Sequence, residues 1–405
     1  MQFYFFLFFI VSVLILGSIR IGTFSIRVYM TILMLLHLLL TLRKGYDAKK
    51  RIRRDYVWFF LVCVATLLVS LLFNGGLDEY SYWEKCLAYY LVCIVAYFAV
   101  DTCVKNWIHF NKFIFCISLI VILDSTITIL QYFNEPIGWI VGTIFSETEE
   151  FAAFFENHDS LVGVSLMPGI FGHPVNNGFF LGVTTPLLMA GIRKDNSFFL
   201  WFYYAIVIII SFIACLYLQQ RAAFFLLLLF IFYHFFKTAI KYPWVLVSTT
   251  LIMLFCLIFF LPDWINSIEM GRLSETDNSS RDSVWRIAYT VISRNLMFGN
   301  LVEYNKIAGY SAHNLFVDSL IDSGLFGFIP IFILVLKTLW DSLRFMLMSK
   351  DSYVKVFSYS VLTCMAMGMF HNTSYLTGDV IIFIVLAMMF KAQKLSSYSQ
   401  IIPRS

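Results

Sequence analysis

The chain has 405 residues, of which 60% are hydrophobic and 13% charged, with a formal net charge of +4. A soluble domain carries about 25% charged residues, so the composition excludes an ordinary soluble domain and identifies an integral membrane protein. Its basic residues track one face of the membrane, so the net charge does not indicate nucleic acid, and no nucleic-acid motif is present.

A bilayer core is crossed by about 20 apolar residues per helix. Twelve runs meet that condition in chain order: 2–19, 21–42, 55–73, 83–100, 113–133, 174–192, 198–218, 222–236, 244–261, 324–342, 356–370 and 377–391. The first lacks a basic n-region and a small-residue cleavage site, and reads as a retained span rather than a signal peptide. With the N-terminus inside, the cytoplasmic segments collect nineteen of the 29 Lys and Arg residues, as the positive-inside rule requires, and both termini are expected to be cytoplasmic. The eight cysteines fall in or at the ends of apolar runs, with no C-x-x-C, so neither a disulfide scaffold nor a zinc site is expected.

The expected architecture is an all-α polytopic membrane protein, a single integral domain over 1–405. Two outer segments are too long for turns, a first outer loop at 134–172 and a large outer loop at 262–323. The first has no Lys or Arg but carries Glu135, Glu147, Glu149, Glu150, Glu156 and Asp159. Acids that solvate a translocated loop explain this; a metal site on Glu147 and Glu149, or recognition of a polar substrate, are the alternatives. At its end His173 precedes Pro174 in an extended segment, able to line a sugar groove or to stabilise a turn.

Between the seventh and eighth runs there is only "LQQRAAF", which sets Arg221 at the outer end of two helices beside Gln219 and Gln220. Ionisable groups at membrane depth are functional candidates; an interfacial anchor is the other reading.

The large loop holds Arg272, Arg281, Arg286, Arg294 and Lys306, against the topological trend. Within it, "SSRDSVWRIAYTVISRN" has helical period, with Val284, Trp285, Ala288, Val291 and Ile292 on one face and Ser279 or Ser280 as N-cap. Arg281 falls within that face at the helix start, whereas Arg286 and Arg294 point away. Free N–H groups and a guanidinium together make an anion site; an arginine snorkelling to the interface is the alternative.

In "SAHNLFVDSLIDSGLFG", a helix over 312–322 would bury Phe316, Val317, Leu320 and Ile321. It would turn Asp318 and Asp322 to water and lay His313 over the buried stripe, where a purely structural histidine is also common. The last outer turn, "FHNTSYLTGD", carries His371, Asn372 and Asp379; Asp379 could pair with an arginine, orient His313 or start a helix.

Two inward arginines suit a diphosphate whose lipid tail lies in the bilayer, and histidine can take a proton from an attacking hydroxyl. Together they describe glycosyl transfer from a lipid-diphosphate sugar, with charge on the leaving diphosphate stabilised by arginine. No metal or cofactor is required, and the chain has no D-x-D.

The run "SSRDSVWRIAYTVISRNLMFGN" followed by "HNLFVDSLIDSGLFG" resembles the outer-loop region of the O-antigen polymerase and O-antigen ligase superfamily. The shared features are an Arg and a Trp one turn apart, then His-Asn, then two glycines opening the next span. "MPGIFGHPVNNGFFLG" resembles the opening of that family's sixth span, and "QQRAAF" its short Arg-Ala hinge. The likeness covers 168–327 by motif and the whole chain by topology. It departs in Gln219 and Gln220, where Ser or Thr is common before the arginine, and in Ser280, where Gly is often found.

The resemblance implies a metal-independent glycosyltransferase of C-type (GT-C) architecture in the bacterial inner membrane. Its active site would face the periplasm and act on undecaprenyl diphosphate-linked glycan donor and acceptor, with a chain-length regulator protein as a candidate partner. Arg221, Arg281 and His313 match the family's diphosphate-binding and acceptor-activating positions. Asn314, Trp285, His173, Asn177, Gln220 and Asp379 are the expected substrate-binding residues.

Polymerisation of repeat units is preferred over ligation to lipid A core or transfer to a protein. The grounds are an aromatic-rich chain, the character of the first outer loop and the lack of added soluble domains. A lipid-linked oligosaccharide flippase is the rival class; it would require Asp124 and Lys337 to face one central cavity.

Overall fold

The computed structural model describes residues 1–17, 19–21, 24–42, 55–76, 91–145, 167–192, 197–218, 221–241, 277–308, 312, 314–368 and 380–401. These residues form helices α1 (Gln2–Ile15), α2 (Ile26–Leu42), α3 (Asp55–Phe73), α4 (Val92–Cys103), α5 (Trp107–Tyr132), α6 (Pro136–Phe145) and α7 (Pro174–Leu188). After these come α8 (Phe198–Tyr217), α9 (Arg221–Lys241), α10 (Asp277–Arg294), α11 (Leu301–Ala308), α12 (Leu315–Met348), α13 (Ser352–Gly368) and α14 (Val380–Ile401). The protein is an all-α membrane protein. By length and composition α5, α8, α12 and residues Val380–Ser397 of α14 are each able to cross a bilayer.

Helix stands on eleven of the twelve apolar runs; the run 244–261 lies outside the described residues. Two local departures follow from backbone features that hydropathy does not register. The second run does not begin as helix at residue 21. Arg20–Ile21 and Phe24–Ser25 pair as an antiparallel hairpin in register Arg20 with Ser25 and Ile21 with Phe24, and the Ile26 N–H donates to the Ile19 carbonyl at 2.8 Å. Within the expected outer loop 134–172, residues Pro136–Phe145 are helical, with proline at the first position, where its fixed φ is already helical.

The chain forms two compact units, Met1–Cys116 with Asp282–Ser405, and Ile117–Arg281. In the first, α12 packs along α3 and α13, and α14 lies against α4 and α13. In the second, α7 packs against both α8 and α9.

The first unit contains a buried ion pair. Lys391 Nζ donates to Asp101 Oδ1 at 3.1 Å and to the Asp101 carbonyl at 2.7 Å, with both side chains 7% exposed. Lys391, expected simply to mark the cytoplasmic face, therefore joins α14 to α4. On α12, Asp341 accepts the Tyr56 hydroxyl at 2.8 Å, and the Lys337 ammonium lies 5.6 Å from the Tyr56 ring centroid.

Removing one partner of a buried pair strands the other charge, at a cost of about 3–5 kcal/mol, whereas replacing both by apolar groups is near neutral. Lys391→Met is thus expected to lower the melting temperature in detergent strongly. Asp101→Leu combined with Lys391→Met should recover most of the loss, and a double variant no better than the single would refute the pairing.

Candidate functional site

In the first unit, α10 buries Val284, Ala288 and Val291 against Tyr304 of α11, Ala312 and Ile321, as its period predicts. Arg286 and Arg294 lie on the exposed side. The connection to α11 is a capping arrangement: Asn300 Oδ1 accepts the Glu303 N–H at 3.0 Å, while Glu303 accepts from Asn300 Nδ2 at 3.1 Å and from Arg294 Nη1 at 3.3 Å.

Three expectations for this region change. Because α10 begins at Asp277, Ser279 and Ser280 are inside the helix rather than caps. Arg281 is its fifth residue, and the free N–H groups of the first turn lie ahead of it. Trp285 is not part of the buried face but 52% exposed, because its indole swings to donate Nε1–H to the Ala312 carbonyl at 3.0 Å.

The third change concerns the start of α12. The helix begins at Leu315, after Ala312 and with Asn314 extended (φ −148°, ψ 122°) as N-cap; the Asn314 Oδ1 accepts the Phe316 and Val317 N–H groups at 3.0 and 3.2 Å. Asp318 and Asp322 do not face water but are 6% and 7% exposed. Asp318 turns back so that Oδ1 accepts the Ala312 N–H at 2.8 Å. Ala312 is thus held at its N–H by Asp318 and at its carbonyl by Trp285, and Asn314 is fixed by the cap.

Further along α12, Gly324 (φ 59°, ψ −154°) interrupts the helix. The freed N–H groups of Leu325 and Phe326 donate to the Leu296 and Met297 carbonyls, at 2.9 and 3.3 Å. Gly299 (φ 67°) lies in the opposing turn; a Cβ there would come within 2.4 Å of the Ile321 carbonyl, and one on Gly324 within 2.4 Å of the Met297 carbonyl. Asn74 Nδ2 holds the Gly299 carbonyl at 3.0 Å, and the Phe298 ring stacks on Phe73 and Phe326, with centroids 4.9 and 5.2 Å away. The turn between α10 and α11 is therefore bonded, backbone to backbone, onto the break in α12.

The second unit holds His173 and Asn177. His173 is extended (φ −143°) and N-caps α7, its Nδ1 accepting the Val175 N–H at 3.2 Å. Asn177, one turn on, is fully buried and donates from Nδ2 to Thr128 Oγ1 at 2.8 Å and to the Met167 carbonyl at 3.1 Å.

Met167–Ile170 is non-helical, and α5 answers its backbone. Gln131 accepts the Gly169 N–H at 2.9 Å and donates to the Gly169 carbonyl at 3.3 Å, while Asp124 Oδ1 accepts the Ile170 N–H at 3.0 Å. Sequence reasoning did not single out Gln131, Thr128 or Asp318. The available signal was a polar residue recurring along an otherwise apolar span, at 124, 128 and 131.

Arg221 opens α9 and Arg281 lies in α10, but their side chains lie outside the described residues, as do Gln220, His313 and Asp379 altogether, together with Glu147 and Glu149. Asn314, Trp285, His173 and Asn177 are placed as above, the first pair in one unit and the second pair in the other. Compared with known proteins, the chain matches no family model and no curated protein.

Gly324 and Gly75 provide a controlled comparison. Both have positive φ, but nothing lies within 4 Å of a Cβ on Gly75 (φ 72°). Gly75→Ala should cost about 1–2 kcal/mol of backbone strain alone. Gly324→Ala should lower the melting temperature clearly further, because the added methyl meets the Met297 carbonyl; equal losses would argue against docking of the turn at this point.

Proposed function

We propose that this protein is a membrane glycosyltransferase that polymerises undecaprenyl diphosphate-linked oligosaccharide repeat units into O-antigen or capsular polysaccharide. The reading includes twelve spans, GT-C architecture, cytoplasmic termini in the bacterial inner membrane and a metal-independent site facing the periplasm. The observation that supports it best is the double hold on Ala312 with the Asn314 cap, which fixes the chain on both sides of His313. A general base needs such positioning to meet an acceptor hydroxyl within hydrogen-bond reach.

In this scheme His313 takes the proton of the attacking sugar hydroxyl as the new glycosidic bond forms and the bond to diphosphate breaks. Arg221 and Arg281 carry the negative charge on the departing diphosphate. Trp285 and Asp318 act as positioning residues, and Asn314, His173, Asn177, Gln220 and Asp379 line the glycan path. Donor and acceptor are both lipid-linked glycans, with a chain-length regulator protein as a candidate partner.

The test is purified protein with a synthetic undecaprenyl diphosphate-linked repeat unit, without nucleotide sugar or lipid A, resolved by product size. A ladder is expected. Transfer only after lipid A core is added would make the protein an O-antigen ligase instead. Movement of intact lipid-linked oligosaccharide across a liposome with no new bond would make it a flippase, a reading that the buried carboxylate of Asp124 favours. His313→Ala should abolish the ladder at unchanged membrane abundance. Trp285→Phe keeps the ring but loses the N–H, and should slow the ladder about tenfold, the rate equivalent of ~1.4 kcal/mol.

A further inference from the structure

Asp124 lies on α5 eight residues before Tyr132, where the helix ends, or about 12 Å along the axis at about 1.5 Å per residue. The Ile170 N–H meets it there, so residues 167–170 reach well down the helix from its end. Non-helical backbone at membrane depth is found only where it is buried in protein or lines a polar site. Around Gly169 (φ 58°), a Cβ would come within 2.4 Å of Asp124 Oδ1 and 2.3 Å of Asn177 Nδ2. The carboxylate and the amide therefore crowd the same small space.

Each of these side chains is bonded through one end only. Among the described residues Asp124 Oδ2 and Asn177 Oδ1 are buried with no hydrogen-bond partner, and both residues have zero exposure. Both atoms are acceptors, so neither can satisfy the other. Among the described residues no basic side chain pairs with Asp124. Residues 167–170, α6 and α7 carry no titratable side chain, and the titratable group within electrostatic reach is the buried Cys215 thiol on α8. A carboxylate in such surroundings needs positive charge brought to it.

We propose that Asp124 and Asn177 form a site for a small monovalent cation, Na⁺ or a proton, held between α5 and α7 where residues 167–170 enter the bundle. A cation between the two oxygens satisfies both acceptors and compensates the carboxylate. Unwound backbone beside a buried carboxylate offers the oxygen-rich surroundings in which membrane proteins hold Na⁺ or H⁺. The bound ion would lock the segment that leads into His173 and α7. This site shares Asn177 with the glycan path proposed above, but its ion binding does not rest on glycosyl transfer.

The test is the melting temperature of the detergent-purified full chain in two series, one exchanging Na⁺ for choline at constant ionic strength and pH, the other varying pH at constant Na⁺. A ligand that binds the folded state raises stability in proportion to its occupancy. The wild type should gain several degrees along one of the series. Asp124→Asn places an N–H₂ donor where the cation would sit, and should be as stable as the loaded wild type but flat in that series.

Response to Na⁺ identifies a sodium site; response to pH alone, with loss of a buried carboxyl infrared band on alkalinisation, identifies a proton. If Asp124→Asn does not fold, Asn177→Leu serves instead, and should raise the half-effect concentration about tenfold or more, ~1.4 kcal/mol of lost affinity. A wild type that differs from neither variant in its response to Na⁺ or pH overturns the proposal, whatever the product ladder shows.

Discussion

Within a bilayer no water is available to a backbone N–H or C=O that has left the helical ladder, so each such group must be answered by protein. That constraint organises this molecule more than any single side chain does. At Gly324 and at Met167–Ile170 the chain leaves helical geometry within packed surroundings, and at both the substitutes for the lost helix bonds are specific. At Gly324 they are the carbonyls of Leu296 and Met297. At Met167–Ile170 they are the side chains of Gln131, Asp124 and Asn177.

The two solutions have different mechanical consequences. At Gly324 backbone bonds to backbone, and both surfaces are stripped to glycine at the closest approach, which ties the turn between α10 and α11 stiffly to α12. This stiffness extends to Ala312, whose two backbone atoms are held by Trp285 on α10 and Asp318 on α12. At Gly169 the bonds come from side chains, which can exchange partners without unfolding a helix. A segment held in this way can respond to a change in the charge of one residue.

The bilayer also explains what was legible in the sequence. Length and apolarity are imposed on every span, so helices could be read as apolar runs, and the 3.6 period exposed the Val284, Ala288 and Val291 face of α10 for the same reason. Roles that depend on a backbone partner were not legible. Trp285 looked like core because an indole counts as apolar, yet its single N–H directs it outward to Ala312. Asp318 looked solvated because a carboxylate counts as polar, yet the N–H of a residue six positions earlier pulls it in. Asn314 shows the limit from the other side: the motif drew attention to it, while its local bonds are those of an N-cap. The buried stretch 167–170 was hidden because "MPGI" has neither length nor period, and its partners lie 38 and 46 residues away.

Charge burial separates the structural carboxylates from the exceptional one. Asp101 faces a lysine, Asp341 a tyrosine hydroxyl and Asp318 a backbone N–H. The lysine and the tyrosine lie on different helices from their aspartates and Ala312 lies ahead of the helix that carries Asp318, so each bond also joins two pieces of the fold. Asp124 accepts a single N–H at one oxygen while the other remains unanswered. A carboxylate oxygen buried without a partner is unfavourable unless positive charge accompanies it. Asp124 is therefore a buried acid whose position packing alone does not explain, and it lies beside the same non-helical segment that delivers His173 to the start of α7.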